Sequence, residues 1–268
     1  MKITVLTDNN TYIDHYYVGE PALSFYIEDK AFRMLFDTGY SDVFIRNAIS
    51  MGIDLSKIST IAFSHGHNDH TRGMTFWEEQ FPSSKIQILA HPDTFRQRFE
   101  NNESIGAPFS SEQLRDKYNL TLSKKPVRIN ERLTFLGEIP CHFEFEKREP
   151  IGVIREVSEE IPDLVMDDSA LVYNSGQGLF IITGCSHSGI CNIIEQAKYI
   201  CNEKKIIGVI GGFHLFSVSD RLYQTISYFE ENSIKELYPC HCVSFAAKAE
   251  IHKHIPIHEV GVGLSISL

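Results

Sequence analysis

Apolar and polar positions follow two rhythms along this chain, and together they predict alternating strands and helices. Residues 2–8 at the N-terminus read as a first strand, since the apolar stretch is too short and too soon polar for a signal peptide. Residues 24–28 and 32–36 flank Asp29-Lys30 and predict a hairpin. Helical periodicity over residues 42–49 ends near Gly52, and Thr60-Ile61-Ala62-Phe63 predicts a buried strand. A short helix is expected from Thr71, a strand over 86–90, and a helix over 92–99 with Pro92 in its first turn. Residues 101–108 read as a mobile loop, 111–118 as a short helix, and 133–136 and 142–146 as strands. The charged segment 147–168 carries both signs and two prolines, and it fits either a surface excursion or a lid over a site.

The second half is more regular. Residues 170–173 and 179–182 form a hairpin around Ser175-Gly176-Gln177-Gly178, and the fully apolar second arm belongs at the centre of a sheet. Helices are expected over 190–202, 219–231 and 243–254, alternating with strands over 205–210, 236–238 and 262–266. Repeated units of strand, polar exit and helix predict an α/β layered fold. One domain over 1–268 is expected, with a lid or excursion at about 100–168.

Composition narrows the function classes. Hydrophobic residues make up 43% and charged residues 22%, as in an ordinary soluble globular protein. A net charge of −10 argues against a nucleic-acid partner, because no basic stripe offsets phosphate repulsion. No apolar run approaches the roughly 20 residues of a membrane helix. Six cysteines are scattered, which predicts free thiols and a cytoplasmic protein rather than a disulfide framework.

The chemistry concentrates in Ser64-His65-Gly66-His67-Asn68-Asp69-His70, on the loop leaving the strand at 60–63. Side chains two apart in an extended segment project to one side, so His65 and His67 can grip one ion. Asp69 and His70 follow where the chain can turn and offer a carboxylate and an imidazole to a second. Imidazole with carboxylate suits zinc, with iron, manganese or cobalt as alternatives. Further histidines stand at later strand exits: His187, His214 and His241. Cys185 and Cys240 stand beside two of them. Asp37 in Asp37-Thr38-Gly39 ends a strand, and by itself is better explained by an ordinary turn. His91 has the pattern of a strand-end histidine and receives no role.

Taken together, Asp37-Thr38-Gly39, Ser64 to His70, Gly184-Cys185-Ser186-His187 and Pro239-Cys240-His241 resemble the motif series of the metallo-β-lactamase superfamily over nearly the whole chain. Thr183 to Gly189 with Gly211-Gly212-Phe213-His214-Leu215 resembles one branch, whose members are described as metal-dependent hydrolases or as dihydropterin ribofuranosylaminobenzene phosphate synthases of the methanopterin pathway. The resemblance implies an αββα sandwich with a dinuclear metal site at one edge of two sheets. It implies His65 and His67 as ligands of one metal, Asp69 and His70 of the second, His241 completing the second shell of ligands and His187 the first. It implies that Asp37 orients a ligand. Two departures stand out. Gly184-Cys185 occupies the place of the usual metal-bridging aspartate, so Cys185 is either a ligand or a buried thiol. The usual separate histidine before that strand is also missing, since His142 lies in strand-like alternation.

The expected activity is hydrolysis of an ester, amide or phosphoester of a small molecule, possessing an anionic group or not, by water activated on two divalent transition metals, zinc first. Asp69 is the candidate to orient that water or take its proton, and His214 to protonate a leaving group or stabilise charge. The alternatives are a pterin-pathway synthase acting on a phosphorylated ribosyl arylamine, with Arg72, Arg148 or Arg155 in an anion pocket, and a non-catalytic metal or ligand sensor. A diiron oxidoreductase is disfavoured by His67, where an acidic residue is expected.

Overall fold

The structure, a computed structural model, describes residues 1–82, 85–156 and 159–268. Val157 and Ser158, within the charged segment singled out above, lie outside the described residues. The chain forms two compact units: residues 1–123, 150–167 and 261–268, and residues 124–149 and 168–260.

The first unit is built on strands β1 (Lys2–Thr7), β2 (Ser24–Asp29), β3 (Phe32–Phe36), β4 (Thr60–Ala62), β5 (Gln87–Ala90), β8 (Asn119–Leu122) and β17 (Ser265–Ser267), in the order β17-β1-β2-β3-β4-β5-β8. Pairing is antiparallel from β17 to β3 and parallel from β3 to β8. Helices α1 (Val43–Ser50), α2 (Asn68–Thr71), α3 (Gly73–Gln80) and α4 (Ser111–Arg115) follow the exits of these strands. Phe44, Ile45 and Ala48 of α1 and Met74 and Trp77 of α3 cluster with Leu35, Ile61 and Ile88 of the sheet. Each such fully buried side chain contributes about 1.5–3 kcal/mol. On the other face Ile3, Val5, Phe25 and Ile27 are buried too, which is why these strands read as nearly continuous apolar runs. The parallel register pairs Phe36 with Ala62 and Ala62 with Leu89, so the exits after β3, β4 and β5 leave one edge together.

A second, four-stranded sheet in this unit departs from expectation. Strands β6 (Arg98–Glu100), β7 (Glu103–Ser104), β11 (Val153–Arg155) and β12 (Glu160–Pro162) lie in the order β12-β11-β6-β7. The helix expected over 92–99 is absent. The chain instead makes turns in which the amide of Thr94 donates to the His91 carbonyl, and that of Arg96 to the Asp93 carbonyl, before Arg98 enters a strand against Ile154. The loop expected over 101–108 is a tight hairpin whose tip, Asn101-Asn102, holds φ of 50° and 67°. Asparagine tolerates such left-handed backbone, and two successive residues of this kind match a type I′ turn.

The second unit has β9 (Val127–Arg128), β10 (Leu133–Phe135), β13 (Ala170–Asn174), β14 (Leu179–Thr183), β15 (Ile206–Gly211) and β16 (Leu237–Pro239), in the order β16-β15-β14-β13-β10-β9. Pairing is parallel from β14 to β16, so their exits also share one edge. Helices α5 (Ile190–Cys201), α6 (Asp220–Glu231) and α7 (Phe245–His254) pack Ile193, Ile194, Leu222, Ile226, Phe229 and Ile251 onto Val172, Ile181 and Val209. Ser219 and Ser244 cap α6 and α7 by accepting from the amides of Leu222 and Ala247.

The strand expected over 142–146 is a helical turn over Glu144–Glu146. Its alternation breaks because Glu146 turns inward, where its two carboxylate oxygens accept from the amides of Cys191 (3.0 Å) and Asn192 (2.8 Å) at the start of α5. Asn192 returns the favour through its side-chain oxygen, which accepts from the amides of His142 (2.7 Å) and Phe143 (3.1 Å). Burial raises the pKa of Glu146 despite these bonds. Glu146→Ala leaves the two helix amides without their acceptor, and urea denaturation should show a loss of about 1–3 kcal/mol. An unchanged midpoint would mean that the carboxylate does not hold this segment.

Candidate metal centre

In the first unit the site grows out of the exits of β3 and β4. Phe63 is still in the sheet, its amide donating to the Leu89 carbonyl, and Ser64 is caught by Asp37. The Asp37 carboxylate is fully buried and takes three bonds. Oδ1 accepts from the Ser64 amide at 2.7 Å, and Oδ2 accepts from the Ser64 hydroxyl at 2.7 Å and lies 2.7 Å from His70 Nδ1. His67 lies on extended backbone. His67 then caps α2, so Asp69 and His70 sit on a single helical turn. This change from extended to helical backbone is what places two histidines, a carboxylate and a third histidine around one spot.

His65 Nε2 lies 3.1 Å from His67 Nδ1, the Ser64 hydroxyl lies 2.9 Å from His65 Nδ1, and the rings of His65 and His70 are 4.2 Å apart. His70 Nε2, opposite the nitrogen held by Asp37, lies 3.6 Å from Asp69 Oδ2. Burial lowers the pKa of His67 to about 4, only partly opposed by the charge of Asp69, so its imidazole is neutral at pH 7. That is the form that binds metal. Beside this cluster a cleft of about 340 Å³ is lined by Pro21, Tyr40, His67, Asn68, Asp69, Glu100, Ile105 and Ile151. Arg72 stacks over the Tyr40 ring at 4.3 Å.

In the second unit the exits of β14, β15 and β16 bring a further set together. Donor atoms of Cys185 and His187 lie within 4.8 Å of each other, as do those of Cys185 and His241. The rings of His187 and His214 are 4.4 Å apart. Cys242 joins them, its Sγ 3.2 Å from the Cys185 carbonyl. A β-carbon on Gly212 would lie 2.3 Å from that sulfur, so the thiol fits only against glycine. Burial pushes the Cys242 thiol up, but hydrogen bonds with Cys185 and His214 and the charges of His241 and His214 hold it well below its ordinary value. Ser186 has φ of 60°, His214 51° and His241 50°, and Asp37 in the first unit 60°, a left-handed backbone that non-glycine residues adopt uncommonly.

Every residue expected at the site thus lies on one of two clusters: Asp37, His65, His67, Asp69 and His70 in the first unit, and Cys185, His187, His214 and His241 in the second. Cys240, singled out beside its histidine, is instead buried with its amide bonded to the Gly211 carbonyl, and Cys242 takes the place facing the cluster. Both cysteines flank His241 in the sequence, so adjacency alone does not tell them apart. Asp168, which accepts from the Ser188 amide and hydroxyl next to His187, was hidden in the charged segment.

With the geometry in place, comparison with known proteins gives the family. The profile of the metallo-beta-lactamase superfamily matches residues 17–199, and the chain belongs to that superfamily. Uncharacterized protein MJ0448 of Methanocaldococcus jannaschii is 32% identical over 252 residues, 93% of each chain. The 7,8-dihydropterin-6-methyl-4-(beta-D-ribofuranosyl)-aminobenzene-5'-phosphate synthase of the same organism is 30% identical over 263 residues, covering 92% of this chain and 89% of its own. The crystal structure of Tm1679, described as a metal-dependent hydrolase of the beta-lactamase superfamily, matches with a TM-score of 0.84 at 29% identity, covering 100% of this chain and 99% of that one. The fold class expected from the resemblance, the αββα sandwich of the metallo-β-lactamase type, therefore holds. Among the described residues no helix is long and apolar enough to cross a membrane.

Asp37→Asn replaces an acceptor by an amide donor facing His70 Nδ1 and the Ser64 hydroxyl. Metal-free protein should lose about 1–3 kcal/mol in urea denaturation. Wild-type stability in this variant would show that the carboxylate does not organise the loop.

Proposed function

We propose that the protein is a metal-dependent hydrolase that directs activated water at an ester, amide or phosphoester of a small molecule. The observation that carries this reading is the His65–His67 nitrogen pair, 3.1 Å apart, beside a His70 ring held by Asp37. Two nitrogens bound at about 2.0–2.1 Å to one tetrahedral ion stand roughly 3.3 Å apart, so the pair fits a shared ion. His65 and His67 would hold one divalent transition metal and Asp69 and His70 a second, with His187 and His241 as the further ligands that the family resemblance implies. Imidazole, carboxylate and thiol donors suit zinc first, with iron or manganese as alternatives. When bound, such ions lower the pKa of water toward 7 and polarise the group under attack.

The chain's own residues do the rest. Asp69 is partly exposed at the cleft and takes the proton of the attacking water. His214 protonates the leaving group; its Nδ1 is buried with no hydrogen-bond partner among the described residues. Asp37 keeps a proton on His70 Nδ1 and so leaves Nε2 as the donor to metal. Pro21, Tyr40, Ile105 and Ile151 shield a small substrate from water. Six scattered cysteines, none in a disulfide among the described residues, go with the cytoplasmic setting proposed here.

A second reading, a synthase acting on a phosphorylated ribosyl arylamine, draws support from the 30% identity to the dihydropterin synthase over most of both chains. Arg72 beside the cleft is its best anion contact. Arg155 is already paired with Glu160, and Arg148 donates to the Ile139 carbonyl.

Elemental analysis of the purified protein should find about two transition-metal ions per chain, and chelation should remove both metal and activity. A protein that holds no metal and cannot be reconstituted would overturn the proposal. In a screen of p-nitrophenyl esters and phosphodiesters, His67→Ala should abolish whatever turnover the wild type shows. Unchanged turnover would remove the histidine cluster from the chemistry.

A further inference from the structure

We propose that Arg98, with Asp163 and Asp167, is a positioning residue for the His65–His67 pair. The inference rests on the metal-binding reading above. Arg98 is fully buried, and all its contacts lie within the first unit. Its Nε donates to Asp163 Oδ2 at 2.7 Å and its Nη2 to Asp167 Oδ1 at 2.6 Å. Nη1 donates to the Thr94 carbonyl at 2.9 Å and Nη2 to the Asp93 carbonyl at 3.1 Å. This fork therefore gathers the turn after β5 and the segment after β12 onto one plane.

The metal loop rests on that plane. Gly66, between the two histidines, packs so closely that a β-carbon there would lie 1.9 Å from the Thr94 carbonyl oxygen and 2.0 Å from Arg98 Nη1. Only glycine fits at such an approach. The main chain adds a second tie. The Arg98 carbonyl accepts from the Ile105 amide at 3.0 Å, the Ile105 carbonyl accepts from the Asn68 amide at 2.8 Å, and His67 bridges to Gly106. Arg98 thus reaches the residues on both sides of His67, from below through its guanidinium and from the flank through its backbone.

Stability alone is a poor account of such a group. A buried arginine with two carboxylates carries a desolvation cost that well-packed apolar side chains avoid. The network here is not even fully satisfied, since Asp167 Oδ2 is buried with no hydrogen-bond partner among the described residues. What the fork supplies is fixed geometry: planar donors aimed in set directions, which lysine cannot reproduce. The four-stranded sheet that carries Arg98 is on this account a clamp under the metal loop rather than a free lid.

The test compares wild type, Arg98→Lys and Arg98→Met after reconstitution with cobalt(II). It reads the visible absorption of bound cobalt, its affinity by competition with a chromogenic chelator, and the urea midpoint. Loss of an outer contact of this kind should weaken metal binding roughly 10–100-fold and alter the cobalt bands in protein that is still folded. A purely structural role would lower the urea midpoint and leave the spectrum and affinity of the folded protein at wild-type values, which would overturn the proposal. If Arg98→Met does not fold, Arg98→Lys, which keeps the buried charge, decides the question by the same readouts. A wild type that takes up no cobalt would overturn the hydrolase reading along with this one, whereas wild-type uptake with unchanged variants overturns this inference alone.

Discussion

The buried carboxylate of Asp37 is the constraint on which the metal loop depends. It reaches from the exit of β3 to the exit of β4, binds both the amide and the hydroxyl of Ser64, and fixes the ring of His70. The backbone at Asp37 is held at φ 60°, a conformation that the parallel neighbours must enforce. Without those bonds Ser64 would have an unsatisfied buried amide, and the loop would have no reason to enter α2 where it does. Those bonds anchor the entry to the loop and the ring of His70.

Much of this was legible in the sequence, and for identifiable reasons. The turn at Asp29-Lys30 between two strand-like runs marked β2 and β3, and the apolar run at 60–63 marked β4. The polar exits after β14, β15 and β16 were visible because fully buried parallel strands end abruptly in turn residues. The site histidines were legible because they stand at those ends. What escaped was set by tertiary contacts. Pro92 at a helix-like start promised a helix, but Arg98 belongs to a buried ion network that pulls the chain into a strand. His142 to Glu146 alternates like a strand, yet Glu146 is committed to the amides of α5. Short strands such as β9, β11 and β12 have two or three residues each, too few for any periodicity to show.

The second unit gives the site its own character. Where the superfamily resemblance calls for a bridging aspartate, this chain has Cys185, and Cys242 packs against its carbonyl in a space that Gly212 leaves open. If Cys185 serves as a ligand, its sulfur makes a softer donor set than carboxylate and imidazole alone. Softer donors hold zinc more tightly and lower the residual charge on the ion, and so temper its power to acidify water. The chemistry of this protein should differ from its relatives chiefly at that edge.

The proposed function requires the histidine cluster to hold transition metal through imidazole nitrogen. X-ray absorption at the zinc edge of the zinc-loaded protein tests it most directly. Binding through the cluster gives nitrogen and oxygen at about 2.0–2.1 Å, with sulfur at about 2.3 Å if Cys185 ligates, and the outer scattering pattern of several imidazole rings. A shell of oxygen alone, without imidazole scattering, would contradict it.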